Sequence, residues 1–128
     1  MNERSMEHPH MGLAASTVGS VTVLSVHGDV DLSSAPLLEE YAFRLLDDEP
    51  GSLVVDLTDV QFLASTGMAL LVELSRRTAG RAGFAVVANG TATARPLELL
   101  GLCEMFTVRA SLDEALTDLG GERARCRE

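Results

Sequence analysis

Residues 54–77 read VVDLTDVQFLASTGMALLVELSRR, and they contain both halves of the fold's repeating unit. The segment opens inside a short, nearly all-apolar run, Ser52 to Asp56, the kind of strand that is buried on both faces. Leu57 to Ala64 is expected to be a loop, and a helix is expected from about Ser65 to Ala79. Ser65-Thr66-Gly67 therefore places two hydroxyls at a helix N-terminus, where unpaired N–H groups and the helix dipole both favour negative charge. Serine is also a common helix N-cap, so a purely structural role for Ser65 stands beside any functional one.

The same alternation continues on either side. Upstream, Val21 to His27 is rich in β-branched residues with a period of two. Gly19-Ser20 can turn a hairpin between Leu13–Val18 and this strand, which Gly28 would end. DLSSAPLLEEYAFRLLDD follows, with Pro36 in the first helical turn, where its missing N–H is not needed. Leu37, Leu38, Tyr41, Ala42, Leu45 and Leu46 then form one apolar stripe. Downstream come a buried-type strand over Phe84–Ala88 and a helix opened by Thr93–Pro96 and ending near Gly101. Phe106–Val108 is a further short strand, and a last helix starts at the capping box Ser111…Glu114 and runs to Leu119. The order ββαβαβαβα implies an α/β domain with a central mixed sheet and about four helices packed against it.

The length of 128 residues suits one domain. Residues 1–12 lack an apolar period and are expected to be a flexible arm, 13–120 the domain, and 121–128 a charged tail. Ten Arg, no Lys and 19 acidic residues give a net charge of −9, which argues against nucleic acid and anionic membranes as partners. That charge suits a partner with a basic docking surface, and serves solubility as well. No apolar run approaches a membrane span, and no basic-then-apolar leader opens the chain, so a cytoplasmic protein is expected. Cys103 reads as a buried thiol at a helix end and Cys126 as part of the tail, and their spacing fits neither a metal site nor a disulfide scaffold.

Phosphate-binding loops, metalloprotease motifs and nucleophile elbows are all missing from the text. His8 and His10 lie in the arm without further metal ligands, and His27 reads as a surface residue at a strand end. An enzyme is not expected, nor is a cofactor or a metal.

VVDLTDVQFLASTGMALL (54–71) resembles the signature of STAS-domain anti-sigma factor antagonists, in which an acidic residue, a turn and an aromatic precede Asp-Ser-Ser/Thr-Gly-Leu-Gly. GDVDLSSA (28–35) is similar to that family's entry into its first helix, and ARPLELLGLCEMFTV (94–108) to its later helix-to-strand segment. The resemblance runs from about Leu13 to Leu119. It implies the STAS fold and an antagonist that binds an anti-sigma factor carrying a GHKL-type serine kinase domain; the sequence leaves the oligomeric state open, and a monomer is expected when free. It also implies a switch: phosphorylation of Ser65, with Thr66 as second choice, releases the partner, and a PP2C-type phosphatase restores binding. By the same resemblance Asp31, Ser65, Thr66, Gly67, Met68 and Val72 form the partner-binding surface, with Ala69 beside them; for Met68, Ala69 and Val72 a plain core role is the alternative. This chain departs from the pattern at Ala64, where the family often carries Asp. A constitutive scaffold and a ligand-binding accessory subunit are the other roles a STAS domain can take.

Overall fold

A computed structural model describes residues 4–48 and 51–121. A six-stranded sheet with strand order β1-β2-β3-β4-β5-β6 forms the centre. The strands are β1 (Arg4–His8), β2 (Met11–Val18), β3 (Val21–Val30), β4 (Ser52–Leu63), β5 (Phe84–Val87) and β6 (Thr107–Arg109). The first three pair antiparallel as a meander, and β3 to β6 pair parallel. Helix α1 (Ala35–Asp48) links β3 to β4, α2 (Ser65–Thr78) links β4 to β5, and α3 (Ala94–Leu99) with a 3₁₀ turn at Leu102–Glu104 links β5 to β6. Helix α4 (Leu112–Leu116), continued by a wide turn over Thr117–Gly121, ends the described chain.

Parallel strands in sequential order, joined by crossovers of one hand, put the linking helices on one face. Side-chain alternation along the strands shows the result. Leu24, Val26, Leu53, Val55, Phe84 and Val86 pack with α1, α2 and Leu97 of α3 in the main core. Their neighbours Val23, Val54, Ala85 and Val87 point the other way, onto Ala115, Leu112, Leu116 and Leu119 of the C-terminal segment. A strand buried on both faces must be apolar at every position, which is why Leu53-Val54-Val55 and Phe84 to Val87 read as unbroken runs. Ser111 caps α4 by accepting from the Glu114 N–H at 3.2 Å, while Glu114 reaches back one residue further, to the Ala110 N–H.

Several sequence expectations change. Residues 4–8 form an edge strand rather than part of a flexible arm, and Met11 is buried at the start of β2. Pro9 and His10 make the turn between them, with His8 opposite Met11. The open backbone groups of β2 supply the partner that the polar sequence of β1 does not advertise. Leu57 to Leu63 continues β4, and β3 likewise runs past Gly28 to Val30. The tail from residue 122, including Cys126, lies outside the described residues. Cys103 is exposed, not buried, because the short turn at Leu102–Glu104 turns it away from the sheet.

Gly28 is required where β3 bends. Its φ is +92°, and a Cβ there would run into the carbonyl of His10, whose oxygen accepts from the Asp29 N–H at 2.7 Å.

A candidate partner-docking and phosphoacceptor site

Adjacent parallel strands finish at the same edge of a sheet, and the helices that follow them begin there together. Here β3 ends at Val30 and β4 at Leu63, in register with each other. The N–H of Ala64 donates to the Val30 carbonyl at 2.8 Å, which ties the start of α2 to the start of the turn leading into α1. Asp31 and Ser65 are the next residues along each chain segment, so the fold sets them on neighbouring turns.

Asp31 organises the first turn. One carboxylate oxygen accepts from the backbone N–H groups of Ser33 and Ser34, each at 3.0 Å, and from the Ser33 hydroxyl at 2.9 Å. Ser34, fully buried, accepts from the Asp31 N–H at 2.9 Å and donates to the Asp29 carbonyl at 2.8 Å. Hydrogen bonds from the Ser34 backbone and the Ser33 hydroxyl hold the Asp31 carboxyl below the usual carboxylate range, against a smaller opposing desolvation. Part of this carboxylate's capacity is therefore spent inside the turn. Asp31 is a positioning group as much as a contact.

Ser65 opens the second turn. It is exposed and is the first residue of α2, while Ala64, with φ −79° and ψ 167°, holds the N-cap position. Ala64 has no side-chain oxygen to offer, so the helix has no side-chain cap. The reading of Ser65 as the cap is thus displaced by one residue. Neither the Ser65 nor the Thr66 side chain makes a hydrogen bond among the described residues, and their N–H groups have no acceptor there. The outcome is an exposed hydroxyl beside open donors at the positive end of a 14-residue helix.

Gly67 lets this turn sit close to the strand ends. A Cβ would lie 2.7 Å from a Val30 methyl and 2.8 Å from a Leu63 methyl. The glycine is buried, so it acts as a spacer under the site. Met68 is 8% exposed and belongs to the main core, and Val72 is half-buried against that core. Their apolar side chains complete the inward stripe of α2, so the structure gives them the packing role. Ala69 is exposed.

Two large apolar residues that sequence reasoning missed flank the site. Leu32 is 76% exposed in the Asp31 turn, and Phe62 is 52% exposed near the end of β4. The signal available was weak: Leu32 interrupts a polar turn, and Phe62 lies in a segment read as loop. A second exposed apolar group, Leu99, Leu100 and Met105, sits near Cys103. His27 is exposed, as expected, but lies within β3 rather than at its end.

A family model for the STAS domain matches residues 13–115, which is most of the chain and includes both turns. The chain belongs to the STAS-domain family. It is 41% identical over 103 residues to the anti-sigma-F factor antagonist RsfB of Mycobacterium tuberculosis, covering 80% of this chain and 84% of that one. A crystal structure of an anti-sigma factor antagonist from Mycobacterium paratuberculosis superposes with a TM-score of 0.85 at 36% identity, covering 91% of this chain and all of the other. The fold is also that of the anti-sigma factor antagonist SpoIIAA in its unphosphorylated form, with a TM-score of 0.63 at 16% identity over 81% of this chain and 92% of that one. The matched region runs from β2 into α4, while the edge strand β1 lies ahead of it. Among the described residues no helix is long and apolar enough to cross a membrane, and no cluster of side chains could hold a metal ion.

Proposed function

We propose that this chain is an anti-sigma factor antagonist that binds its anti-sigma factor through the edge formed by the Asp31 and Ser65 turns, and so regulates sigma-factor-dependent transcription in the cytoplasm. Phosphorylation of Ser65 by a GHKL-type kinase domain of the partner releases the complex, and a PP2C-type phosphatase resets it. The observation that carries this reading is the exposed, unbonded hydroxyl of Ser65 at the uncapped start of α2. The regulatory names of its relatives support it, and so do the exposed Leu32 and Phe62 on either side.

The physical logic of the switch separates fold from interface. A phosphoserine carries about −1.5 to −2 charges, which a helix N-terminus favours by roughly 0.3–1 kcal/mol. The free protein therefore keeps its fold. A partner surface fitted to a neutral hydroxyl would instead bury a dianion beside Asp31, on a chain already at −9. A loss of about 3 kcal/mol at that surface weakens binding a little over 100-fold.

The test is incubation of the chain, and of Ser65→Ala and Thr66→Ala, with an anti-sigma factor kinase and ATP, followed by intact-mass measurement. One added phosphate on the parent and on Thr66→Ala, but not on Ser65→Ala, supports the reading. Modification of Ser65→Ala to the same extent overturns the assignment. Ala64, in place of the Asp common in the family, favours a second reading: a constitutive adaptor that binds without a phosphoswitch.

A further inference from the structure

Helices α1 and α2 start at the same edge and run side by side, and small residues face each other between them. Ala35 on α1 and Ala69 on α2 leave the helices a groove of about 330 Å³, floored by Leu70 and walled by Leu32 and Pro36. Its lining positions run from Leu32 in the Asp31 turn through Ala35 to Glu39 on α1 on one side, and at helical spacing from Thr66 to Glu73 of α2 on the other. Seven residues of helix span about 10 Å. The groove thus begins beside Ser65 and ends about two turns away at two carboxylates.

Those carboxylates are not equivalent. Glu73 accepts from Arg77 at 3.1 Å, and Arg77 in turn lies over the Phe43 ring at 4.0 Å. Glu40 is paired with Arg44 at 3.0 Å. Glu39 is exposed and makes no hydrogen bond or ion pair among the described residues, so the far end of the groove holds one open negative charge. An apolar channel of this size accepts one aromatic or two aliphatic side chains, the kind of anchor that dominates protein interfaces.

We propose that the α1–α2 groove receives an apolar side chain of the anti-sigma factor, flanked by an arginine or lysine that pairs with Glu39. This rests on the proposed function and extends its interface from the Ser65 edge along the helix layer. Charge supplies the argument for that occupant: the open carboxylate stands on a chain whose 19 acidic residues outnumber its ten arginines, a net charge of −9, so the field of a second copy would on balance oppose its approach. The groove also gives the switch its reach, because a phosphate on Ser65 would stand at its mouth.

The test measures the dissociation constant of an anti-sigma factor that binds the unmodified chain, for the parent, Ala69→Arg and Glu39→Gln, at low and high salt. Ala69 is an exposed helix position and arginine is a good helix former, so Ala69→Arg keeps its fold while filling the groove. It is expected to weaken binding about 30-fold or more, as loss of an interface anchor does. Glu39→Gln is expected to weaken binding several-fold and to flatten its salt dependence. Binding unchanged in both variants overturns the groove and leaves the antagonist reading standing. Failure of every anti-sigma factor to bind the parent chain overturns both. Self-association of the parent that Ala69→Arg abolishes would assign the groove to a second copy and overturn the proposed occupant.

Discussion

Replacing Gly67 with alanine sets two effects of known size against each other. In the third residue of α2, away from any positive φ, alanine is the better helix former by about 1 kcal/mol. On propensity alone Gly67→Ala would stabilise the protein. The structure opposes this. The new Cβ would lie 2.7 Å from Val30 Cγ1 and 2.8 Å from Leu63 Cδ1, roughly 1 Å closer than a comfortable carbon–carbon contact. Val30 is fully buried and β-branched, so its methyl has little freedom to turn away. Overpacking of this kind costs about 1–3 kcal/mol. The net expectation is a destabilisation of about 1 kcal/mol, which corresponds to a fall in Tm of about 3–5 °C for a domain of this size. Urea unfolding of the parent, Gly67→Ala, Val30→Ala and the double variant measures it. Shrinking Val30 should relieve the clash, so the double variant should be more stable than the sum of the single effects predicts, by about 1 kcal/mol. A Gly67→Ala protein more stable than the parent, with no such coupling, would refute the close approach of α2 to the strand ends.

Further outcomes follow from the same geometry. Ala64→Asp supplies the missing cap and should raise stability by about 1 kcal/mol in urea unfolding, with a smaller gain for Ala64→Ser. Leu32→Ser, at a 76% exposed position, should leave the unfolding midpoint unchanged and weaken anti-sigma factor binding at least 10-fold by calorimetry. The Asp31 carboxyl should titrate below the ordinary aspartate value in a carbon-detected NMR series. Because its folded pKa is depressed, its contribution to stability is present above the ordinary carboxylate pKa and is lost as pH falls through the folded value. Asp31→Asn should therefore flatten the acid limb of the stability profile.

The two-faced burial of β4 and β5 was legible because unbroken apolar runs bounded by turns have few other uses. The α2 start was legible too, since Ser65-Thr66-Gly67 interrupts an apolar pattern just before a helical one. The second half of β4 was hidden for a specific reason. Irregularities in the β3–β4 pairing between Ser25 and His27, and between Gly28 and Asp29, shift the register, so that Leu57, Val60 and Leu63 are buried at intervals of three. A search for alternation cannot find a strand written with that period. Strand β1 was hidden because an edge strand is held by its neighbour's backbone, and backbone pairing leaves little mark on side-chain choice. At the site, the motif pointed to Ser65 and Asp31, but not to which neighbours face outward. Met68 and Val72 turn inward with the helix stripe, and Leu32 and Phe62 turn outward, a division that depends on how the helix layer and the strand ends pack.

The central claim is that one hydroxyl at the start of α2 sets the affinity for the anti-sigma factor. Its most direct test is a calorimetric comparison of the unmodified chain with the same chain phosphorylated on Ser65, each titrated with the same anti-sigma factor. The account predicts that both forms unfold at closely similar temperatures while the phosphorylated one binds about 100-fold more weakly. Equal affinities for the two forms would contradict it.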